Sequence, residues 1–161
     1  MNLITDLLRI MKNCGSTFEY AKERDEDIMR AYLQLIGDCE TIELNDIFRQ
    51  IVNMPSKRFW VSAERAAIVI SRMMKGDTLA DMLSTKREMF AEIYRRVMKL
   101  HEENPSASIY ELTIQVVAQP APKFYLTTGS AKVIIYRAKK RWYKERRQQL
   151  QRLLPKQQEK S

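Results

Sequence analysis

The chain has 161 residues, 45% of them apolar, with 28 Lys/Arg against 20 Asp/Glu and only four glycines. That apolar fraction is enough for one ordinary domain or two very small ones, and abundant helix-forming residues with so little glycine favour an all-α fold over a strand-and-turn architecture. No run approaches the roughly 18 to 20 apolar residues that span a bilayer, and no basic-then-apolar leader opens the chain, so a cytoplasmic protein with no membrane partner is expected.

Charge is unevenly placed. Residues 1–86 hold 12 basic and 13 acidic side chains, residues 87–161 hold 16 and 7, and residues 129–161 alone hold 11 and 2. A surplus so concentrated is the electrostatic footprint of a polyanion-binding segment.

In chain order, residues 1–21 form a lead-in whose Leu3, Ile4, Leu7, Leu8 and Met11 are spaced as the apolar stripe of a helix over 3–12. This helix is expected to pack on the first half of the chain or on another subunit. Cys14 and Cys39 are expected as reduced thiols, since a helical chain of this size needs no disulfide. The segment 22–76 reads as three helices. The first covers about 23–36 (Ile28, Tyr32, Leu35, Ile36), and the second about 43–53 (Leu44, Ile47, Phe48, Ile51). The third runs from Ser62 to Gly76. Pro55 stops the second helix, because proline offers no amide donor and restricts the residue before it. A linker over 77–86 offers Asp77 and Ser84 as helix N-caps. Residues 87–154 repeat the pattern, with helices over about 86–103, 107–118 and from Thr127 or Thr128 to Leu154; a polar tail over 155–161 is expected to be disordered.

The two segments are copies of one another. An offset of 65 aligns residues 50–72 with 115–137 without a gap, making Gln50/Gln115, Val52/Val117, Pro55/Pro120, Phe59/Phe124, Ala66/Ala131, Ile70/Ile135 and Arg72/Arg137 identical. Similarity of this length and register indicates a tandem duplication of a three-helix unit. The strings Pro55 to Ser62 and Pro120 to Thr127 connect the second and third helices. Phe59 and Phe124 are expected to pin these connectors to the core, leaving Trp60 and Tyr125 more open to a ligand.

Three short helices, the third led by a polar first turn, resemble the trihelical helix-turn-helix domains of DNA-binding proteins. The Pro-x-x-Arg/Lys-Phe-aromatic-aliphatic-Ser/Thr string is also similar to one in uncharacterised proteins of gut bacteria and their phages or mobile elements. The first resemblance implies that a third helix enters the major groove; the second implies a bacterial setting, phage-encoded or virion-associated. The eight-residue connector departs from the tight turn of the simplest motif.

The nucleic-acid contacts expected on the third helix of the first copy are Arg65, Arg72 and Lys75, with Ala66, Val69, Ile70 and Met73 turned inward. Those on the second copy are Lys123, Ser130, Lys132, Tyr136, Arg137, Lys139, Lys140, Arg141, Lys144 and Arg147, with Ala131, Ile134, Ile135 and Ala138 inward. Lysines and arginines supply attraction to phosphates, and Arg or a small hydroxyl can read base edges. Catalysis has no matching constellation. His101 is the sole histidine, it cannot complete a zinc set with two cysteines, and no glycine-rich phosphate loop occurs. The expectation is a non-enzymatic duplex-DNA-binding protein with no cofactor and no metal. The competing class is an interaction or virion-structural subunit, such as a ring-forming adaptor, built as a homo-oligomer or holding an acidic protein. The acidic stretch Asp25-Glu26-Asp27, which would repel phosphate, favours that class.

Overall fold

The computed structural model describes residues 20–38 and 43–155, so the expected helix over 3–12, Cys14, Cys39 and all of the expected tail but Pro155 lie outside the described residues. Six helices form within that range: α1 (Ala21–Asp38), α2 (Leu44–Val52), α3 (Ala63–Met74), α4 (Ser84–Glu103), α5 (Ile109–Val117) and α6 (Thr128–Leu153). The fold is all-α, and its only bridge between extended segments among the described residues joins Ser56 to Ala121.

Local chemistry accounts for most of the helix ends. The hydroxyls of Ser62 and Thr127 accept from the amides of Arg65 and Ser130, and Ser108 forms a reciprocal capping box with Glu111. Gly76, at φ 95°, takes the left-handed conformation that closes α3. Neither expected cap in the linker holds. The residue before α4 is Leu83, which has no capping side chain, and Ser84 is already helical. Asp77 instead accepts from the Leu79 amide at 2.8 Å and from Arg72 Nε at 2.8 Å. These two donors, the amide foremost, hold its carboxyl below the usual carboxylate range.

The helices pack as two three-helix units, and the third helices are exchanged between them. α1 and α2 pack on α6, whereas α4 and α5 pack on α3. One core gathers Ile28, Ala31 and Tyr32 of α1, Ile47, Phe48 and Ile51 of α2, Ile134 and Ile135 of α6, and Phe124. The other gathers Ile93 and Val97 of α4, Leu112 and Val116 of α5, Ala66, Val69 and Ile70 of α3, and Phe59. Each compact unit therefore takes two helices from one half of the chain and the third from the other. Phe59 and Phe124 are buried as expected, but each anchors its connector in the core built by the opposite half.

The crossing is symmetric in detail. Ser56 and Ala121, 65 positions apart, exchange both backbone bonds at 3.0 Å. The amide of Phe59 donates to the carbonyl of Val117 and that of Phe124 to Val52, both at 3.1 Å. The last carbonyls of a helix lack intrahelical donors, so each connector satisfies an end that the other half leaves open. The Phe59 and Tyr125 rings stack at 6.0 Å across the crossing. Tyr125 is buried, and Trp60 is half-buried with its indole N–H donating to Asp27 Oδ2 at 3.1 Å. Both aromatics expected to be open are thus engaged in structure, Tyr125 by stacking across the crossing and Trp60 through Asp27.

Asp27 organises the start of the first connector. Besides Trp60, it accepts from Arg30 Nη2 at 2.7 Å and the Lys57 amide at 2.9 Å, and the Ser56 hydroxyl lies 3.1 Å away. At the equivalent position Glu92 pairs with Arg95 and Arg96 at 2.6 and 2.9 Å. Arg96 donates to the Pro120 carbonyl as Arg30 does to that of Pro55.

Candidate nucleic-acid interface

The inward positions of both third helices are those expected. Ala66, Val69 and Ile70 on α3, and Ala131, Ile134 and Ile135 on α6, are buried, while Met73 and Ala138 are partly covered. The outer faces then differ sharply in chemistry.

On α3, Arg65 and Lys75 are exposed, but Arg72 is held by Asp77 at 2.7 Å. Around them lie exposed apolar side chains: Ile68 on α3, with Tyr110 and Ile114 on α5. Glu64, Ala67, Ile68, Ser71, Ile109 and Tyr110 line part of a shallow groove of about 520 Å³ between these helices. This face is mixed in charge and largely apolar, and sequence reasoning had overlooked it. The signal was present in the i, i+4 pair Tyr110 and Ile114, which flanks the buried side of α5.

On α6, the side turned away from α1 and α2 carries Arg137, Lys140, Lys144 and Arg147, which are exposed. Their i, i+3, i+7, i+10 spacing aligns them on one helical face. None forms an ion pair among the described residues. Lys132 and Tyr136 extend the cationic side toward the N-terminus, with the Lys132 ammonium 5.9 Å from the Tyr136 ring centroid. Ser130 is exposed in the first turn, where its hydroxyl accepts from Thr127 Oγ1 at 2.9 Å.

Besides Arg72, three expected contact residues are engaged by structural partners, Arg141 while remaining exposed. Lys139 donates to the Tyr32 hydroxyl and sits 4.2 Å from that ring centroid. Arg141 pairs with Asp25 at 2.6 Å. Lys123, in the second connector, pairs with Glu88 of α4 at 2.5 Å. Lys139 and Arg141 fasten α6 to α1, and the same pairing neutralises Asp25. Asp27 is likewise buried against Arg30. The acidic stretch near α1 therefore projects less negative field than its composition suggests, because two of its three carboxylates are consumed internally.

Beyond Arg141 every residue of α6 is exposed. The stretch 142–153 projects about 18 Å at the usual helical rise. Arg146 sits over the Trp142 ring at 5.2 Å, and the Trp142 and Tyr143 rings meet edge-on at 5.0 Å. Among the described residues no group of His, Cys, Asp and Glu could hold a metal ion, and no helix is long and apolar enough to cross a membrane. No protein-family model, curated protein or solved structure matches this chain.

Proposed function

We propose that this chain is a non-enzymatic, duplex-DNA-binding protein that arose by duplication of a helix-turn-helix-like three-helix element and serves a phage or mobile genetic element. The observation that carries the reading is the exposed cationic stripe Arg137, Lys140, Lys144 and Arg147 on α6, which forms no ion pair among the described residues. Four exposed cations on one face suit a row of phosphates, and Lys132, Tyr136 and Ser130 extend that face toward the start of the helix. Support for duplication comes from the matching hydrogen bonds at positions 65 apart. The helix-turn-helix likeness is one of units and not of chain order, since the helix that follows α2 in sequence packs in the opposite unit. The bacterial and phage setting rests on the resemblance of the connector string alone.

A second reading, as a protein-interaction or virion-structural subunit, is favoured by the apolar α3–α5 face around Ile68, Tyr110 and Ile114. The readings are separated by a salt titration of binding to duplex DNA, single-stranded DNA and RNA. Neutralisation of four phosphates gives a log–log slope of about −4 for a duplex. Salt-independent binding, or a preference for either single-stranded ligand, removes the DNA reading. A defined ring by mass without nucleic-acid affinity replaces it with the second.

A further inference from the structure

At the offset of 65, the outer face of one unit can be set against that of the other, position by position. Where α2 and α6 carry the exposed cations Arg49 and Lys132, α5 and α3 carry Ile114 and Ala67, and Ser71 stands in place of Tyr136. The α3–α5 face is thus apolar and small at positions where its counterpart is charged and large, and Ile68, Tyr110 and Ile114 are each at least 44% exposed. A clustered apolar patch on a folded surface marks a contact with another macromolecule.

The charges at the two ends of α3 identify the partner. Glu64 lies in its first turn and Lys75 directly follows its last residue. Both are exposed, and neither forms an ion pair among the described residues. At helical spacing they project within about 20° of one another and stand about 16 Å apart along the axis. A second α3 laid antiparallel, with the two-fold axis between residues 69 and 70, sets each Glu64 against the Lys75 of the other copy. The same operation brings Ile68 level with Ser71 and Ala67 level with Arg72, and the small side chains leave room for the two Ile68 side chains to meet. A two-fold interface must be complementary to itself, and this face meets that condition. The face of α6 does not. There the equivalent pairing sets Lys140 against Gly129 and Lys132 level with Arg137, and the first turn holds no acid to receive them.

We propose that the α3–α5 face binds a second copy of this chain, as an antiparallel α3–α3 pair closed by reciprocal Glu64–Lys75 ion pairs around Ile68, with Tyr110 beside it. Such a dimer gives the interaction reading its partner and rests on that reading, whereas it requires nothing of the DNA reading and makes no use of the α6 stripe.

Sedimentation equilibrium of the full chain at low salt tests the pairing. The parent forms a dimer with a dissociation constant of about 10 µM, as suits a small and partly polar interface. Ile68→Arg weakens it at least about thirtyfold, by placing two buried cations at the two-fold axis. Glu64→Lys and Lys75→Glu each weaken it about tenfold, since like charges then meet at both symmetric positions. Glu64→Lys/Lys75→Glu returns to within about threefold of the parent, because the ion pairs re-form with their signs reversed. All four variants keep the parent's helix content by circular dichroism. A parent that is monomeric at about 300 µM overturns the pairing together with the homo-oligomer form of the interaction reading. A dimer indifferent to Ile68→Arg, or single charge variants whose losses persist in the double variant, overturns the pairing alone.

Discussion

At the scale of single residues, two acids 65 positions apart hold the connectors in place by different means. Asp27 is almost fully buried and joins α1 to the first connector through Arg30, Ser56, Lys57 and Trp60. Removing it leaves the Trp60 and Lys57 N–H groups without their acceptor and Arg30 without its carboxylate. Asp27→Ala therefore lowers stability by about 3 kcal/mol in denaturant titration. Glu92 is more accessible, and Arg95 first, with Arg96, pulls its pKa down to about 2 from 4.5. A depressed acid contributes stability that is full above its unfolded value and is lost as pH falls through its folded value. Glu92→Gln thus costs on the order of 2 kcal/mol at neutral pH. Comparison of the two proteins' denaturation midpoints shows the difference shrinking between about pH 4.5 and 2. A gap that persists unchanged at pH 2 means that Glu92 acts through packing and not through its charge.

At the scale of elements, the helices and their buried faces were legible in the sequence, and their partners were not. Apolar spacing over Ile28, Tyr32 and Leu35, prolines at 55 and 120, and hydroxyls at 62 and 127 encode helix positions locally, and the observed ends lie within a few residues of those expected. Exchange of α3 and α6 leaves no such local mark. Ala66, Val69 and Ile70 resemble Ala131, Ile134 and Ile135 so closely that periodicity cannot say which pair of helices each set packs against. The candidate contacts were misjudged for the same reason. Lys139 and Lys140 are adjacent cations, but one faces Tyr32 and the other solvent, a difference fixed by α1, which is far away in sequence. Lys139→Ala/Arg141→Ala loosens α6 from α1 and lowers the melting temperature by several degrees. Lys140→Ala/Lys144→Ala leaves it within about a degree, since neither lysine forms an ion pair among the described residues. Equal shifts for the two variants would remove the division of α6 into a fastened side and a free side.

At the scale of the whole molecule, the exchange makes the two units interdependent. Each core contains side chains from both halves, so unfolding proceeds in one cooperative transition. Fragments 1–78 and 79–161 are not folded monomers when prepared separately, and mixing them gives a one-to-one complex with the parent's helix content by circular dichroism. A fragment that unfolds cooperatively as a monomer contradicts the exchange. The two outer faces, alike in position, differ in chemistry: α6 presents cations with no ion pair among the described residues, and α3 presents Ile68 beside an Arg72 already held by Asp77.

The functional account stands on that free cationic side, and fluorescence anisotropy of a labelled duplex tests it most directly. Arg137→Glu/Lys140→Glu/Lys144→Glu is compared with the parent and with Lys86→Glu/Lys99→Glu, which alters exposed charges on α4, all at one salt concentration. The account predicts at least a hundredfold weaker binding for the α6 variant, with unchanged helix content, and less than a threefold effect for the α4 variant. Parent-like affinity in the α6 variant, or equal losses in both, would show that this stripe does not hold DNA.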